Sequence, residues 1–417
     1  MILIYMNSGE WGGLDIFVMR FAEYLKRVDR DFFIVENLGS RLRLDLTWAK
    51  FLTVDEYNSS LLTFTHAFFP SISKLVEKRS LAPGISQATL FTWIVQHNDA
   101  LYHFFPVSQR IVSRFGFGAA ISLLRILPKY RRRIETILDA MIRHGALATM
   151  DGSTLRSLRF FYPTVKPASI MVPLPVPQGK YFDYAPPSGD ILSIGYLGRM
   201  DYFKFSAIGP FIRTELARIA KTRSVMLVAI TVGTHVEQLQ SLCAETGIIL
   251  RLHGFMPNDQ ARETLARETH FAVAMGTAAL DIAASGHPCI FIDPAERVTT
   301  SPQTRFRFVH EAQEYMVGEF RDFSGYVGGI RSLEESIAMV LSDTSIGKRD
   351  REYVHDHHDP DRINATMLRH IDASTLTVAG IRPALAALTK ANARDLARVG
   401  KFRRFQGLLN LRGRSRG

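Results

Sequence analysis

Short apolar runs separated by polar stretches dominate the first part of the chain and predict β-strands. They cover residues 2–6, 32–35, 60–64, 90–95, 147–150 and 170–172. Residues 14–28 instead carry apolar side chains three or four positions apart, which is typical of a helix packed on one face. We therefore expect a buried sheet with helices packed against it.

The same alternation is plainer in the second half of the chain. Strand-like runs cover residues 191–197, 225–231, 248–252, 271–275 and 289–292. Helical patterns lie between them at residues 211–221, 236–246, 258–267 and 277–285. Strands that alternate with helices at this spacing indicate parallel sheets with helices on both faces. The predicted fold class is therefore α/β, with doubly wound, Rossmann-like sheets.

A cluster of prolines separates the two alternating regions. Prolines stand at positions 173, 175, 177, 186 and 187, with glycines at 179 and 189. Such a stretch breaks regular structure and is typical of a linker. We predict an N-terminal domain over residues 1–178, a second domain over residues 190–372, and a basic C-terminal helix and tail over residues 373–417. Two domains joined in this way would face each other across a cleft, a usual place for a ligand.

Composition narrows the class of protein. The chain has 417 residues, of which 47% are hydrophobic and 22% charged, the balance of an ordinary globular protein. Cys243 and Cys289 are its only cysteines, which argues against a disulfide framework and fits a reducing cytosol. The apolar start is too short for a signal peptide, and no apolar run approaches the ~18 residues of a membrane-spanning helix. We expect a cytoplasmic protein.

Positive charge is concentrated near the C-terminus. The formal net charge is +11, and residues 380–417 hold ten Lys and Arg against one acid. Residues 110–133 form a second basic stretch mixed with apolar side chains. Basic amphipathic helices bind anionic membranes, but residues 110–133 also fit an ordinary helix, and the tail also fits disorder or nucleic-acid binding. Because no nucleic-acid-binding motif accompanies the tail, we expect peripheral contact with an anionic membrane and no nucleic-acid partner.

Two cations follow the first strand of the second domain. The run 191–197 leads into Gly198, Arg199 follows at once, and Lys204 lies five positions later. Sheets of this class bind ligands outside the carboxyl ends of their strands, where we expect these side chains. A planar guanidinium and a compact ammonium together suit the oxygens of a diphosphate. By itself, the pattern also fits a solvated loop with two surface cations.

A glycine opens the helix at residues 277–285, and an acid follows inside it. Gly276 and Thr277 mark the helix start, where backbone N–H groups can hold a phosphate. Asp281 follows five residues after Gly276, and the oxygens of a carboxylate accept hydrogen bonds from vicinal hydroxyls. The alternative is a surface acid on an ordinary helix.

The first domain offers further candidates. Gly12 and Gly13 lie between the first strand and the first helix, where glycines let backbone N–H groups approach an anion. His97 follows a strand-like run and could hydrogen-bond a sugar hydroxyl or relay a proton, and His66 is a weaker candidate of the same kind. A tight turn and two surface histidines are the plain alternatives. The adjacent histidines of residues 355–358 do not share a helix face as metal ligands would, so we expect no metal site.

These motifs resemble a known family. The residues at 198, 199 and 204 are similar to the Gly-Arg-x4-Lys segment of family 4-like glycosyltransferases with the GT-B fold, the glycosyl transferases of group 1. Residues 276–288 resemble the end of the Glu-x7-Glu motif of that family. The resemblance implies a metal-independent, retaining hexosyltransferase with two Rossmann-like domains. A nucleotide sugar would be its substrate, and it would need no cofactor.

The resemblance also implies a role for each candidate residue. Gly198, Arg199 and Lys204 would hold the donor diphosphate, with Gly276 and Thr277 beside them. Asp281 takes the place of the second motif acid, which binds the nucleotide ribose. Residues 12 and 13 correspond to a Gly-Gly loop that faces the donor diphosphate and the acceptor, and His97 to a histidine that faces the donor sugar.

One position departs from the family motif. The first acid of the pair would stand eight residues before Asp281, where the chain has Val273. That acid contacts the donor sugar ring in the family, so its absence leaves the sugar and the retaining course open. With the basic surfaces, the implied function is sugar transfer to a glycan or lipid-linked acceptor of bacterial surface polysaccharide synthesis, at the inner face of the cytoplasmic membrane. A non-catalytic GT-B binding subunit and a nucleotide-sugar epimerase stay open as alternatives.

Overall fold

The chain forms two compact units. The computed structural model describes residues 1–7, 12–77, 81–105, 107–115, 117–166, 170–182, 184, 186–296, 301–322, 326 and 328–388. Unit 1 comprises Met1–Ala148, Leu158–Ile170 and the described residues from Arg369 onward, and unit 2 comprises Thr149–Ser157 and Met171–Leu368. Compared with the predicted domains, residues 149–157 and 171–178 therefore belong to unit 2, and residues 369–372 belong to unit 1.

Unit 1 is built around a sheet of short, buried strands. They are β1 (Ile2–Tyr5), β2 (Phe32–Val35), β3 (Phe51–Leu52), β4 (His66–Phe69), β5 (Thr89–Ile94) and β6 (Leu147–Thr149). Their order is β3-β2-β1-β4-β5-β6, and β1 to β5 pair in parallel. All residues of β1 are fully buried, as expected for a strand that helices cover on both faces.

Helices connect these strands. They are α1 (Gly13–Arg27), α2 (Arg41–Asp45), α3 (Val54–Ser59), α4 (Ile72–Val76), α5 (Asp99–Phe104), α6 (Val107–Phe115), α7 (Phe117–Ile126) and α8 (Pro128–Arg143). The helix α9 (Gly152–Phe161) follows β6, and only its residues from Leu158 onward belong to unit 1. In α1 the buried face includes Phe17 and Phe21, whose rings stack with centroids 5.9 Å apart. Each such ring contributes about 1.5–3 kcal/mol by leaving water, which fixes α1 against the sheet.

Unit 2 carries a second parallel sheet. Its strands are β7 (Leu192–Leu197), β8 (Val225–Ile230), β9 (Ile249–His253), β10 (Phe271–Ala274) and β11 (Cys289–Phe291), in the order β11-β10-β7-β8-β9. Its helices are α10 (Tyr202–Phe211), α11 (Ala217–Ala220), α12 (Val236–Thr246), α13 (Asn258–Glu268), α14 (Thr277–Ala284), α15 (Leu333–Ser342), α16 (Ile346–His358) and α17 (Pro360–Ala373), the last of which continues beyond Leu368.

The C-terminal segment returns to unit 1. Residues 378–388 are helical, and the N–H of Val378 donates to the carbonyl of Ala88 at 2.9 Å. Arg382 donates to the carbonyl of Ala82 at 2.8 Å. The predicted basic tail therefore begins as a packed segment of unit 1, and its residues 389–417 lie outside the described part of the chain.

Most predicted strands are confirmed to within a residue or two, but two predicted strands are wrong. Residues 60–64 form no strand, because Leu61 points into solvent and the true strand is β4, which begins at the polar His66. Residues 170–172 contribute only a bridge between Met171 and Thr149. The helix predicted at 211–221 is helical as far as residue 220, but the helical structure begins nine residues earlier, at Tyr202. There α10 runs through Pro210 into a π-helical turn, Ile212–Leu216, before α11.

Candidate functional site

The strand order of unit 2 reverses at one point. The chain passes from β7 through α10 and α11 to β8 and then β9, whereas β10 pairs with the other side of β7. Ligands of open α/β sheets bind outside the carboxyl ends of the strands at such a reversal. Val273 pairs with Tyr196, so two residues further on Met275 is level with Gly198. The loops that follow β7 and β10 therefore meet at this edge.

The loop after β7 is held in place by backbone contacts and a helix cap. Gly198 has φ +150°, which disfavours other residues, and the N–H of Met200 donates to the carbonyl of Val232 at 2.8 Å. Asp201 caps α10 by accepting from the N–H of Lys204 at 3.0 Å. This cap explains why the helix begins at residue 202.

Both predicted cations lie at the start of α10. The Arg199 side chain is 54% exposed, and its Nε lies 3.7 Å from Oδ2 of Asp201, a loose pair that leaves most of the guanidinium accessible. Lys204 is half-buried, and burial lowers its pKa to about 8, against the opposing pull of Asp201. An ammonium that has lost part of its water shell gains more from an anionic ligand than a fully hydrated one does.

The loop after β10 consists of only Met275 and Gly276. Gly276 has φ +64°, and no atom lies within 4 Å of the place where a Cβ would stand, so the backbone borders open space. Its N–H donates to the carbonyl of Val317 at 2.8 Å and is therefore already engaged. The other predicted phosphate ligand is Thr277, the first residue of α14. Its N–H lies at the helix start, a position that favours an anion.

Asp281 lies one helical turn after Thr277, on the same face of α14, and it is half-buried. Val273 is fully buried in the middle of β10, paired with Tyr196 and Ile290. With a loop of two residues between β10 and α14, the eighth position before Asp281 falls inside the strand instead of at its end.

Exposed aromatic rings at the same edge were missed from the sequence. Tyr202 opens α10 and is 52% exposed, and Phe255 follows β9 and is 75% exposed. The ring of His235, which follows β8, lies 5.9 Å from that of Tyr202. Exposed rings beside cations suit a ligand with a flat, partly apolar part. Sequence patterns do not show which aromatic side chains stay in solvent, so no signal pointed to them.

The candidates of unit 1 lie at the carboxyl edge of its own sheet. Gly12 precedes α1 after β1, and its N–H donates to Oδ2 of the buried Asp15 at 2.9 Å, while Gly13 is the first residue of α1. Residues 8–11 of the same loop lie outside the described part of the chain. His97 is half-buried in the turn between β5 and α5, where the N–H of Asp99 donates to the carbonyl of Gln96 at 3.2 Å.

His66 lies at the wrong end of its strand for a ligand. It is the first residue of β4, and its Nδ1 lies 2.8 Å from Oγ1 of Thr89 and its Nε2 3.4 Å from Asp372. Burial lowers its pKa, although Asp372 opposes the shift. This histidine joins elements of unit 1 at the amino edge of the sheet and is not a site residue.

The histidines of residues 355–358 belong to the last turns of α16. His358 is buried, with its Nδ1 2.9 Å from the carbonyl of Leu174. Among the side chains that the structure describes, no three His, Cys, Asp or Glu come together as metal ligands would.

Comparisons with known proteins show the fold. No protein-family model matches the sequence, and a search of curated proteins found no relative. Among solved structures, the lipopolysaccharide outer core galactosyltransferase WaaB in its apo form is similar with a TM-score of 0.56 at 12% identity, over 89% of this chain and 99% of that one. A glycosyltransferase from Rickettsia africae and Anabaena HepE in complex with UDP-glucose each give a TM-score of 0.54 at 12% identity, over 89% of this chain and 97% and 99% of theirs. The predicted fold class is thus confirmed, and the chain has the two-sheet α/β fold of the GT-B glycosyltransferases.

Proposed function

We propose that the chain is a glycosyltransferase that moves a sugar from a nucleotide-sugar donor to a glycan or lipid-linked acceptor. The observation that carries the proposal is the carboxyl edge of the unit 2 sheet at the reversal between β7 and β10. There Arg199 and Lys204 come from one helix start, and Thr277 and Asp281 from the other. The fold shared with glycosyltransferases supports this reading of the edge.

Each part of a nucleotide-sugar donor has a complementary group at this edge. Arg199, Lys204 and the start of α14 suit the diphosphate, and the carboxylate of Asp281 suits the ribose hydroxyls. The exposed rings of Tyr202 and Phe255 offer surfaces on which a base can pack. A structure of HepE with UDP-glucose supports a donor of this class.

The chemistry follows from the charges. When the glycosidic bond to the diphosphate breaks, negative charge grows on the leaving oxygen, and cations placed beforehand stabilise it. Arg199 and Lys204 would supply this charge, so we expect no resident metal or cofactor. The family resemblance implies that the configuration at the sugar carbon is retained, although Val273 stands where the family has an acid. His97 would orient the sugar or the acceptor.

The acceptor side of the proposal rests on basic surfaces. In unit 1, α8 buries Ile134 and Ile137 and exposes Lys129, Arg132 and Arg133 to solvent. Such a face is attracted to anionic lipids. The side chains of residues 110 and 114 in the same basic stretch lie outside those described. No helix in the described part of the chain is long and apolar enough to cross a membrane. We propose peripheral attachment at the inner face of the cytoplasmic membrane and a role in surface polysaccharide synthesis, which the fold shared with WaaB supports.

A non-catalytic binding subunit is the second candidate. The two-residue loop after β10 and the buried Val273 favour it, because they leave no acid at the place where the family contacts the donor sugar. Such a subunit would bind the nucleotide but would not turn over a donor.

Calorimetry with free nucleotides tests the proposed donor site. If the edge holds a diphosphate, UDP, GDP or ADP should bind at least about tenfold more tightly than the matching monophosphate. Arg199→Ala should abolish most of this difference. Arg213→Ala, which removes an exposed arginine from the π-helical turn of the same unit, should not. Equal affinities of the parent for diphosphate and monophosphate would contradict the proposal.

A further inference from the structure

One fully buried aspartate lies just beyond the carboxyl end of β11, and a second one, in α16, contacts the amino end of the same strand. Asp293 follows the carboxyl end of the strand, and its Oδ1 accepts from Arg307 at 2.9 Å and from the N–H of Glu319 at 2.7 Å. Its Oδ2 accepts from the hydroxyl of Tyr326 at 2.8 Å. A buried carboxylate with this many donors fixes the backbone that carries them, because breaking any contact leaves a charged group unsatisfied.

The residues fixed in this way reach both helix starts of the candidate site. The segment 317–321 begins at Val317, whose carbonyl accepts from the N–H of Gly276 at 2.8 Å, directly before α14. Further along the segment, the ring of Phe320 stacks on that of Phe203 in the first turn of α10, with centroids 6.4 Å apart. One short segment therefore contacts the starts of α10 and α14.

Arg321 forms a second link between Asp293 and α10. This buried side chain donates from Nε to the carbonyl of Asp293 at 3.0 Å and from Nη2 to the carbonyl of Ser206 in α10 at 3.2 Å. Asp293 thus holds the segment 317–321 at Glu319 through its carboxylate and at Arg321 through its carbonyl. A displacement of this aspartate would therefore also displace α10 and α14.

We propose that Asp293 is a positioning residue of the donor site, acting through the segment 317–321 on the starts of α10 and α14. The inference rests on the proposed function, since it concerns the same site. Asp293 itself does not touch the ligand. Its role is to set the spacing between Lys204 on one helix and Thr277 on the other, on which the grip of a diphosphate depends.

Asp350 provides a matched control. It is equally buried, and its carboxylate accepts from the N–H of Cys289 at 2.9 Å, at the amino end of β11, and from the N–H of His310 at 2.9 Å. Its other partner is the ring of His310, 2.6 Å away. The chemistry resembles that of Asp293, but the contacts lie at the opposite edge of the sheet from the candidate site.

The test compares Asp293→Asn with Asp350→Asn in the full chain. Both should lower the melting temperature, since each removes a buried charge with several donors. The dissociation constant of UDP, measured by calorimetry where circular dichroism shows both variants folded, should rise about tenfold for Asp293→Asn and by less than about twofold for Asp350→Asn. An equal rise in both variants, or no rise in Asp293→Asn, would overturn the positioning role.

Tyr326→Phe is a second variant that tests the positioning role if Asp293→Asn does not fold. It removes one hydroxyl that donates to Asp293 and keeps the ring, so we expect a well-folded protein with a UDP dissociation constant raised about threefold. Unchanged affinity in this variant would also refute the role. Failure of the parent to bind any nucleoside diphosphate would instead remove the proposed function, and the positioning role with it.

Discussion

Raising the pH should weaken nucleotide binding through one side chain. Burial lowers the pKa of Lys204 to about 8, and Asp201, which caps the same helix, opposes the shift only in part. In the free protein, Lys204 is then about 90% protonated at pH 7 and about 10% protonated at pH 9. A diphosphate attracts only the protonated form, so affinity is present below the pKa and is lost as the pH rises through it.

The size of the effect follows from these populations. If only the ammonium form binds, the apparent dissociation constant of a nucleoside diphosphate rises about tenfold between pH 7 and pH 9, or about 1.4 kcal/mol. This is close to the lower end of what a single charge-assisted contact contributes, about 1.5–3 kcal/mol.

Calorimetry at pH 7, 8 and 9 and constant ionic strength measures this change. Lys204→Arg is the matched control, because a guanidinium keeps its charge throughout this range and its profile reports only the titration of the ligand and of other groups. Lys204→Ala should bind weakly at every pH. If the dissociation constant of the parent rises no more than that of Lys204→Arg, Lys204 does not grip the diphosphate.

Three further predictions concern other residues. Asp281→Asn should weaken UDP binding by about tenfold in calorimetry, and unchanged binding would make Asp281 an ordinary surface acid. His287 is buried beside Thr269, and burial lowers its pKa to about 3. Its contribution to the free energy of unfolding should therefore be fully present above pH 6.5, the ordinary pKa of histidine. That contribution should decrease as the pH falls from 6.5 to 3, by at most about 5 kcal/mol in total. In His287→Gln the free energy of unfolding, measured with urea, should fall less between pH 6.5 and 3, and an unchanged pH dependence would contradict this role of His287. Replacing Lys129, Arg132 and Arg133 together by Ala should lower the affinity for anionic vesicles, measured by sedimentation, by up to about 100-fold, at about 1 kcal/mol for each cation, whereas equal sedimentation of this variant and the parent would exclude α8 as the anchor.

The sequence allowed most of the second sheet to be predicted because four of its five strands, all except the partly exposed edge strand β9, are buried on both faces. A strand such as β8 is then a continuous apolar run, and the glycine and charged residues that follow β7 mark its carboxyl end. The pattern failed at β4, whose first residue is the polar His66. It also missed the first nine residues of α10, a helix that begins at Tyr202 and contains Pro210, a residue that disfavours helix interiors.

Only those parts of the candidate site that depend on the local sequence pattern could be predicted. Arg199 and Lys204 could be found because they stand directly after a strand-like run. Val317, whose carbonyl engages the N–H of Gly276, comes 41 residues later in the chain, and the exposure of Phe255 depends on packing. Contacts of this kind are set by the tertiary structure, and no spacing in the sequence records them.

Turnover of a donor tests the central claim most directly. The purified chain is mixed with a panel of nucleotide sugars and a lipid-linked or oligosaccharide acceptor, and release of nucleoside diphosphate is followed together with the mass of the product. We predict that one donor class gives sugar transfer, that Arg199→Ala slows it by about ten- to a hundredfold, and that Arg213→Ala does not. Nucleotide binding without transfer from any donor, or equal turnover by the folded Arg199→Ala variant and the parent, would contradict the account.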